Sequence, residues 1–226
     1  MKIKIISNIL FVLAFLISLT GCGKDNYDEP GSTLIGKITY NGESLHLRGT
    51  GEAIRLQLYQ DGYAKRDPIS VYVGQDGDFS AVLFPGEYKL VTRDGNGPWV
   101  NTRDTVVVNL KGTATVELEV TPFFTVSGEN LTVSSTAMNA SFTINQIVPT
   151  AKIQRAMLIL SKTQFADDVN NLFRKDFSDI SVGTVSLSAD ISGNADVANA
   201  EALYARVGVQ AVGADQAIYS EVVRLR

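Results

Sequence analysis

His46 is the only imidazole in the chain. It lies in Ser44-Leu45-His46-Leu47-Arg48, and no Gly-x-Ser-x-Gly elbow occurs anywhere to supply a nucleophile. A histidine without a nucleophile on one side and an orienting carboxylate on the other reads as a surface residue in a loop before a strand. Carboxylates come in close pairs at Asp76 and Asp78 and at Asp167 and Asp168. Glycoside hydrolysis needs two carboxyls facing each other across roughly 5 to 10 Å, which neighbours in one turn do not provide. Asp76 and Asp78 also lack the rest of an Asp-rich calcium loop. One histidine and one cysteine leave no zinc ligand set. Asp94-Gly95-Asn96-Gly97-Pro98 carries glycines but no following helix to receive a phosphate. The inventory therefore predicts a protein that is not an enzyme and holds no metal or cofactor.

Binding is the other chemistry available. Sugars are held by aromatic faces that cover the apolar side of the ring, with amides and carboxylates taking the hydroxyls. Trp99, the only tryptophan, stands between Asn96 and Asn101 and is the leading candidate. Tyr63 follows the Asp61-Gly62 turn, and Tyr59 faces outward if Ile54, Leu56 and Leu58 face inward. Phe165, Asn170, Asn171 and Phe173 form a weaker cluster further on. Against Trp99 stands the habit of large aromatics in small sandwiches to close the core.

The elements that position these residues are strands. Ile54, Leu56 and Leu58 alternate with Arg55, Gln57 and Tyr59, and Val116, Leu118 and Val120 alternate with Thr115, Glu117 and Glu119. Asn41-Gly42, Asp61-Gly62, Asp76-Gly77 and Asp94-Gly95 stand between strands as tight-turn dipeptides. Short strands with frequent turns predict an all-β chain of sandwich type. The composition changes near Pro122, from 12 Gly and 4 Ala between Gly31 and Thr121 to 5 Gly and 14 Ala afterwards. Two consecutive β-sandwich domains, 33–121 and 122–226, are expected. In the second, Leu203 to Ala211 and Ile218 to Leu225 read as a closing hairpin, and Thr163 to Phe173 as a short helix with Phe165, Val169 and Leu172 on one face.

Gly36-Lys37-Ile38-Thr39, Ile54-Arg55-Leu56, Asp76-Gly77-Asp78-Phe79 and Leu83-Phe84-Pro85-Gly86-Glu87-Tyr88 together are similar to the carboxypeptidase-regulatory, transthyretin-like sandwich. The resemblance implies a non-catalytic domain with a hairpin that pairs Phe79 with Tyr88. Continued through Val120-Thr121-Pro122-Phe123-Phe124, the chain resembles a two-domain lipoprotein family associated with Sus-like glycan-utilisation systems, with an immunoglobulin or fibronectin type III-like second domain.

Residues 1–21 have the grammar of an export signal: Lys2 and Lys4, an apolar run from Ile9 to Leu19, then Gly21. The run is shorter than the roughly 20 residues a spanning helix needs. Leu19-Thr20-Gly21-Cys22 resembles the lipobox of bacterial lipoproteins, which implies cleavage before Cys22 and lipidation of its sulfur. Residues 22–32 form an acidic tether, similar to a surface-export signal through Asp25, Asp28 and Glu29. From Cys22 onward the net charge is −6 with His46 neutral, which argues against nucleic acid. These readings predict a lipid-anchored outer-membrane protein facing the cell exterior. Its expected role is to bind polysaccharide or oligosaccharide for a Sus-like importer. The alternative is an adaptor that docks on an outer-membrane transporter or another surface lipoprotein.

Overall fold

A computed structural model describes residues 28–226. The signal segment, Cys22 and most of the tether lie outside the described residues. The described chain is all-β, as its alternating pattern predicts, apart from one short helix.

The first sandwich is built from eight strands: β1 (Ser32–Tyr40), β2 (Glu43–Ser44), β3 (Arg55–Tyr59), β4 (Ile69–Tyr72), β5 (Asp78–Leu83), β6 (Gly86–Thr92), β7 (Val106–Leu110) and β8 (Thr113–Glu119). One sheet has β1 at its centre, antiparallel to β5 and β2 and parallel to β8; the other runs β4-β3-β6-β7. Leu34, Ile38, Leu56, Leu58, Tyr88 and Leu90 point between them and are buried. The motif that resembles a hairpin departs from expectation here. β5 pairs with β1, whereas β6 pairs with β3 and β7. Phe84-Pro85 carries the chain from one sheet to the other, so Phe79 and Tyr88 enter the core from opposite layers. They do not form a cross-strand pair.

The second sandwich contains β9 (Phe124–Val133), β10 (Ala137–Gln146), β11 (Ile153–Ser161), β12 (Phe173–Phe177), β13 (Gly183–Asp190), helix α1 (Ala195–Ala198), β14 (Tyr204–Ala211), β15 (Ile218–Tyr219) and β16 (Val223–Arg224). One sheet is β13-β10-β9, and the other is β12-β11-β14 with β15 and β16 on β14. Met138, Ala140, Phe142 and Ile144 of β10 face Ala156, Leu158, Leu160, Val207 and Val209 across the core. The helix expected over Thr163 to Phe173 does not form; β12 begins at Phe173 and the stretch before it is a loop. The buried Asp167 carboxylate accepts hydrogen bonds from the backbone N–H groups of Val169 (2.9 Å) and Asn170 (2.8 Å). Such side-chain capture of backbone donors competes with helix formation. Phe165 and Val169 are left exposed.

The outer face of the β11-β14 sheet is where the two sandwiches join. Met157, Ile159, Ala166, Ala217 and Tyr219 make a second small core there. Gly208 permits it: a Cβ would stand 2.6 Å from Met157 Cε and 2.9 Å from the Tyr219 ring. Arg206, with no exposed surface, reaches through this layer. It donates from Nε to the Ser220 carbonyl (2.8 Å) and from Nη1 to the carbonyls of Leu47 (2.9 Å) and Ala166 (3.2 Å). Its guanidinium lies 4.6 Å from the centre of the Tyr219 ring. Burial pushes its pKa down to about 10, yet it remains charged at neutral pH, held by carbonyl dipoles and a ring face. Beside it, Thr50 donates to Asp167, Gln75 donates to the Gln164 carbonyl (3.1 Å), and the Tyr219 N–H donates to the His46 carbonyl (2.9 Å).

Candidate functional site

A cleft of about 520 Å³ opens where the first sandwich meets β9 and the C-terminal strands, lined by Tyr40, Asn41, His46, Glu129, Tyr219 and Glu221 among others. Its first wall is the β1–β2 hairpin. Asn41 and Gly42 both adopt positive φ (51° and 78°), which closes the tight turn, and Glu119 clamps it by accepting from Thr39 Oγ1 (2.9 Å) and the Asn41 N–H (2.6 Å). Leu45 and Leu47 are buried, so His46 between them turns out of the core and into the cleft. Its Nδ1 lies 3.2 Å from Asp76 Oδ1 and its Nε2 lies 3.6 Å from Glu221 Oε1. On the opposite wall Glu129 Oε1 accepts from the Glu221 N–H (3.1 Å), fixing the two glutamates beside each other. Half-buried Tyr40, packed on one side against the core, also lines the cleft.

Among the described residues, no hydroxyl or thiol hydrogen-bonds to His46, and no group of three His, Cys, Asp or Glu side chains gathers as a metal site. What the cleft offers is a ring, an amide, an imidazole and several carboxylates converging on one concavity. That is the chemistry of holding a ligand rich in hydroxyls.

Thr125 and Ser127 line the cleft and also begin the outer face of the β13-β10-β9 sheet. Asn145 of β10 donates to both hydroxyls, at 3.3 Å to Thr125 and 3.0 Å to Ser127. Beyond them the register sets side chains in rows across the three strands: Ser127–Thr143–Thr184, then Asn130–Ser141–Ser186, then Thr132–Asn139–Ser188. The last two rows line a trough of about 330 Å³. A groove of about 990 Å³ at the α1 end of this sandwich has a floor of Leu131, Ile191, Val197 and Leu203. Its cation, Arg226, is tied back to the carbonyls of Val197 (3.0 Å) and Ala198 (3.3 Å).

With this geometry in hand, two domain profiles match the chain: the N-terminal domain of a protein family of unknown function, DUF3823, over residues 32–121, and the family's C-terminal domain, also of unknown function, over residues 124–224. The chain belongs to the DUF3823 family. A DUF3823 crystal structure from Parabacteroides merdae is 69% identical, covers 88% of this chain and 100% of its own, and superposes with a TM-score of 0.86. A Bacteroides ovatus DUF3823 protein is 32% identical, with coverages of 86% and 98% and a TM-score of 0.76. A candidate carbohydrate-binding protein from Bacteroides uniformis shares the fold at 19% identity, with coverages of 88% and 100% and a TM-score of 0.73. No curated protein matches the chain.

In this DUF3823 chain the residues singled out from sequence do not converge. Trp99 is 1% exposed, so its ring faces the core rather than a ligand. The segment around it is tied to the interdomain linker, Val100 N–H to the Thr121 carbonyl (2.9 Å) and Phe123 N–H to the Pro98 carbonyl (3.0 Å). Asn96 is likewise structural, accepting from the Arg55 N–H (2.6 Å) and donating to the Ala53 carbonyl (2.8 Å). Asn101 is exposed, and Tyr63 is 62% exposed on the β3–β4 loop. Tyr59 does turn outward, on the face that also carries Gln57, Arg55 and Tyr72, with Arg55 stacked 5.2 Å from the Tyr72 ring centre. Asn170 and Asn171 hold the loop together through the carbonyls of Phe165 and Asp167. Tyr40, His46, Glu129 and Glu221 were missed as a set because they come from three distant segments. The signal for His46 was the burial of the leucines on either side.

Proposed function

We propose that this DUF3823 protein is a non-catalytic, lipid-anchored outer-membrane protein that captures polysaccharide at the cell exterior for a Sus-like importer, with the cleft between its sandwiches as the binding site. The observation that carries the reading is the meeting of Tyr40 with His46, Asn41, Glu129 and Glu221 in the lining of one concavity. The fold shared with a candidate carbohydrate-binding protein supports it. The lipobox-like Leu19-Thr20-Gly21-Cys22 supports the anchor, since acyl chains contribute roughly 0.8 kcal/mol per buried methylene. The mechanism is non-covalent capture, which raises the local concentration of glycan beside an importer.

Affinity electrophoresis and calorimetry against a polysaccharide panel test the binding. Wild type should be retarded by at least one polysaccharide. Tyr40→Ala should weaken that binding about tenfold, equivalent to about 1.4 kcal/mol, while Trp99→Phe should leave it unchanged. Retention on no polysaccharide would overturn the reading. For the anchor, Cys22→Ala should release the protein from the membrane fraction; a normally processed, membrane-retained variant would refute it.

The adaptor reading has one observation in its favour. Ile35, Val82 and Phe84 of the first sandwich are 45%, 61% and 48% exposed, and Ile35 and Val82 are diagonal neighbours on adjacent strands. Co-purification of a membrane partner without added glycan, abolished by Val82→Lys, would favour it.

A further inference from the structure

We infer that the cleft and the trough form one continuous track, and that its ligand is an uncharged, extended polysaccharide chain. The inference deepens the glycan-binding reading and rests on it.

Continuity comes from shared residues. Thr125 and Ser127 belong to the cleft and to the outer face of β9, and Asn145 fixes both hydroxyls where the two surfaces join. From Asn145 the face continues along β10 through Thr143 and Ser141 to Asn139. The six residue steps from Asn145 to Asn139 span about 20 Å at 3.3 to 3.4 Å each. The track is therefore long enough for a polymer segment and far longer than one sugar ring.

The ligand class follows from what the track presents. Asn130, Ser141, Ser186, Thr132, Asn139 and Ser188 are all uncharged, and each can donate and accept hydrogen bonds. Among the described residues none of the six side chains hydrogen-bonds to another protein group, so their capacity faces solvent. The other outward strand surfaces are different, with Lys37, Asp78 and Glu117 in one cross-strand row and Arg155 beside Asp176 in another sheet. An anionic polysaccharide would require arginine or lysine here, and there is none in these rows. A protein partner would require an aromatic, Met or Arg anchor, and serine is depleted from such interfaces. A neutral polymer of hydroxyls meets neither obstacle. Each hydrogen bond exchanged with water contributes little, so the trough gains affinity only when a chain already seated in the cleft runs across it.

The test uses the full mature chain with xylan, mannan, glucan and levan, each native and carboxymethylated, and a size ladder of oligosaccharides cut from whichever native polymer is retained. Affinity should rise with chain length past the shortest oligosaccharide bound and should not change between 50 and 500 mM salt, because no ion pair is involved. Ser141→Arg and, as an isosteric second variant, Asn139→Asp should weaken the longest oligosaccharide at least fivefold and leave the shortest unchanged. Tyr40→Ala should weaken both, and matched melting temperatures establish that the variants are folded. If long chains bind wild type and both trough variants equally, or if the carboxymethylated polymer binds better, the track is overturned and the cleft reading stands. If wild type retains no polymer, both fall.

Discussion

The second sandwich has two outer faces, and they have opposite fates. The β11-β14 face carries Met157, Ile159, Arg206 and Tyr219, which are buried partly by its own 163–172 loop and partly by the first sandwich, while Arg155 on the same face stays partly exposed. The β13-β10-β9 face carries only short uncharged polar side chains in its three rows and remains open to solvent. Arg206 and Tyr219, a charge and an aromatic ring that residue type alone would mark as functional, are consumed in joining the domains. The bland hydroxyls and amides are left where a ligand can reach them. Type of residue alone thus misassigns both faces, and the difference lies in which face a distant segment covers.

The sharpest way to break this comparison is Arg206→Ala. Truncation removes the partner of three buried carbonyls and leaves a void under Tyr219. The expected loss is about 3 to 5 kcal/mol, since each buried carbonyl left without a donor costs roughly 1 to 3 kcal/mol and the void adds to it, with a fall in melting temperature on the order of 10 °C. Calorimetry should show the single transition separating into two as the sandwiches lose their connection. Arg206→Lys should recover little, since a single ammonium cannot replace a planar fork that serves carbonyls in different directions. A variant that melts like wild type would show that the covered face is not what joins the domains.

Gly208→Val should come next. The added carbons would meet Met157 Cε and the Tyr219 ring within 3 Å, and overpacking of this kind costs about 1 to 3 kcal/mol. The same enlargement on the open face, Ser141→Arg, should stay within about 0.5 kcal/mol of wild type in chemical denaturation. Equal losses at the two positions would mean that the open face is packed against something in solution.

Which strands exist was largely legible. Ile54, Leu56 and Leu58 are fully buried and Arg55, Gln57 and Tyr59 are not, as strict alternation requires. Asn41-Gly42 does close a tight hairpin. Alternation says which residues share a face but not what will cover that face. Within the run from Leu203 to Ala211, Arg206 reads as an ordinary outward charge; its partner Leu47 lies 159 residues away. The grouping of His46 with Asp76 and Glu221 was unreadable for the same reason, since separate loops place the two carboxylates. The 163–173 stretch has helical spacing, and the spacing was overruled by Asp167, whose carboxylate takes the backbone donors a helix would use.

The smallest expected effect sharpens the comparison through pH. Asp176 on β12 accepts from Arg174 (2.6 Å) and Arg155 (2.7 Å), and its hydrogen bonds with Arg174, ahead of those with Arg155, hold its carboxyl below the ordinary 3.8. A carboxylate with a lowered folded-state pKa stabilises the fold above its unfolded value, and that contribution disappears as pH falls below about 4. The site is partly exposed, so the contribution should be under about 1 kcal/mol. Urea denaturation of wild type and Asp176→Asn should differ by this amount at pH 7 and converge as pH falls through the lowered folded-state value. A carboxylate placed on the open face by Asn139→Asp has no cation in its cross-strand row and should produce no such acid-dependent gain. If Asp176→Asn tracks wild type at a constant offset through the acid range, the charged network contributes by packing rather than by charge. The two faces would then differ in coverage alone.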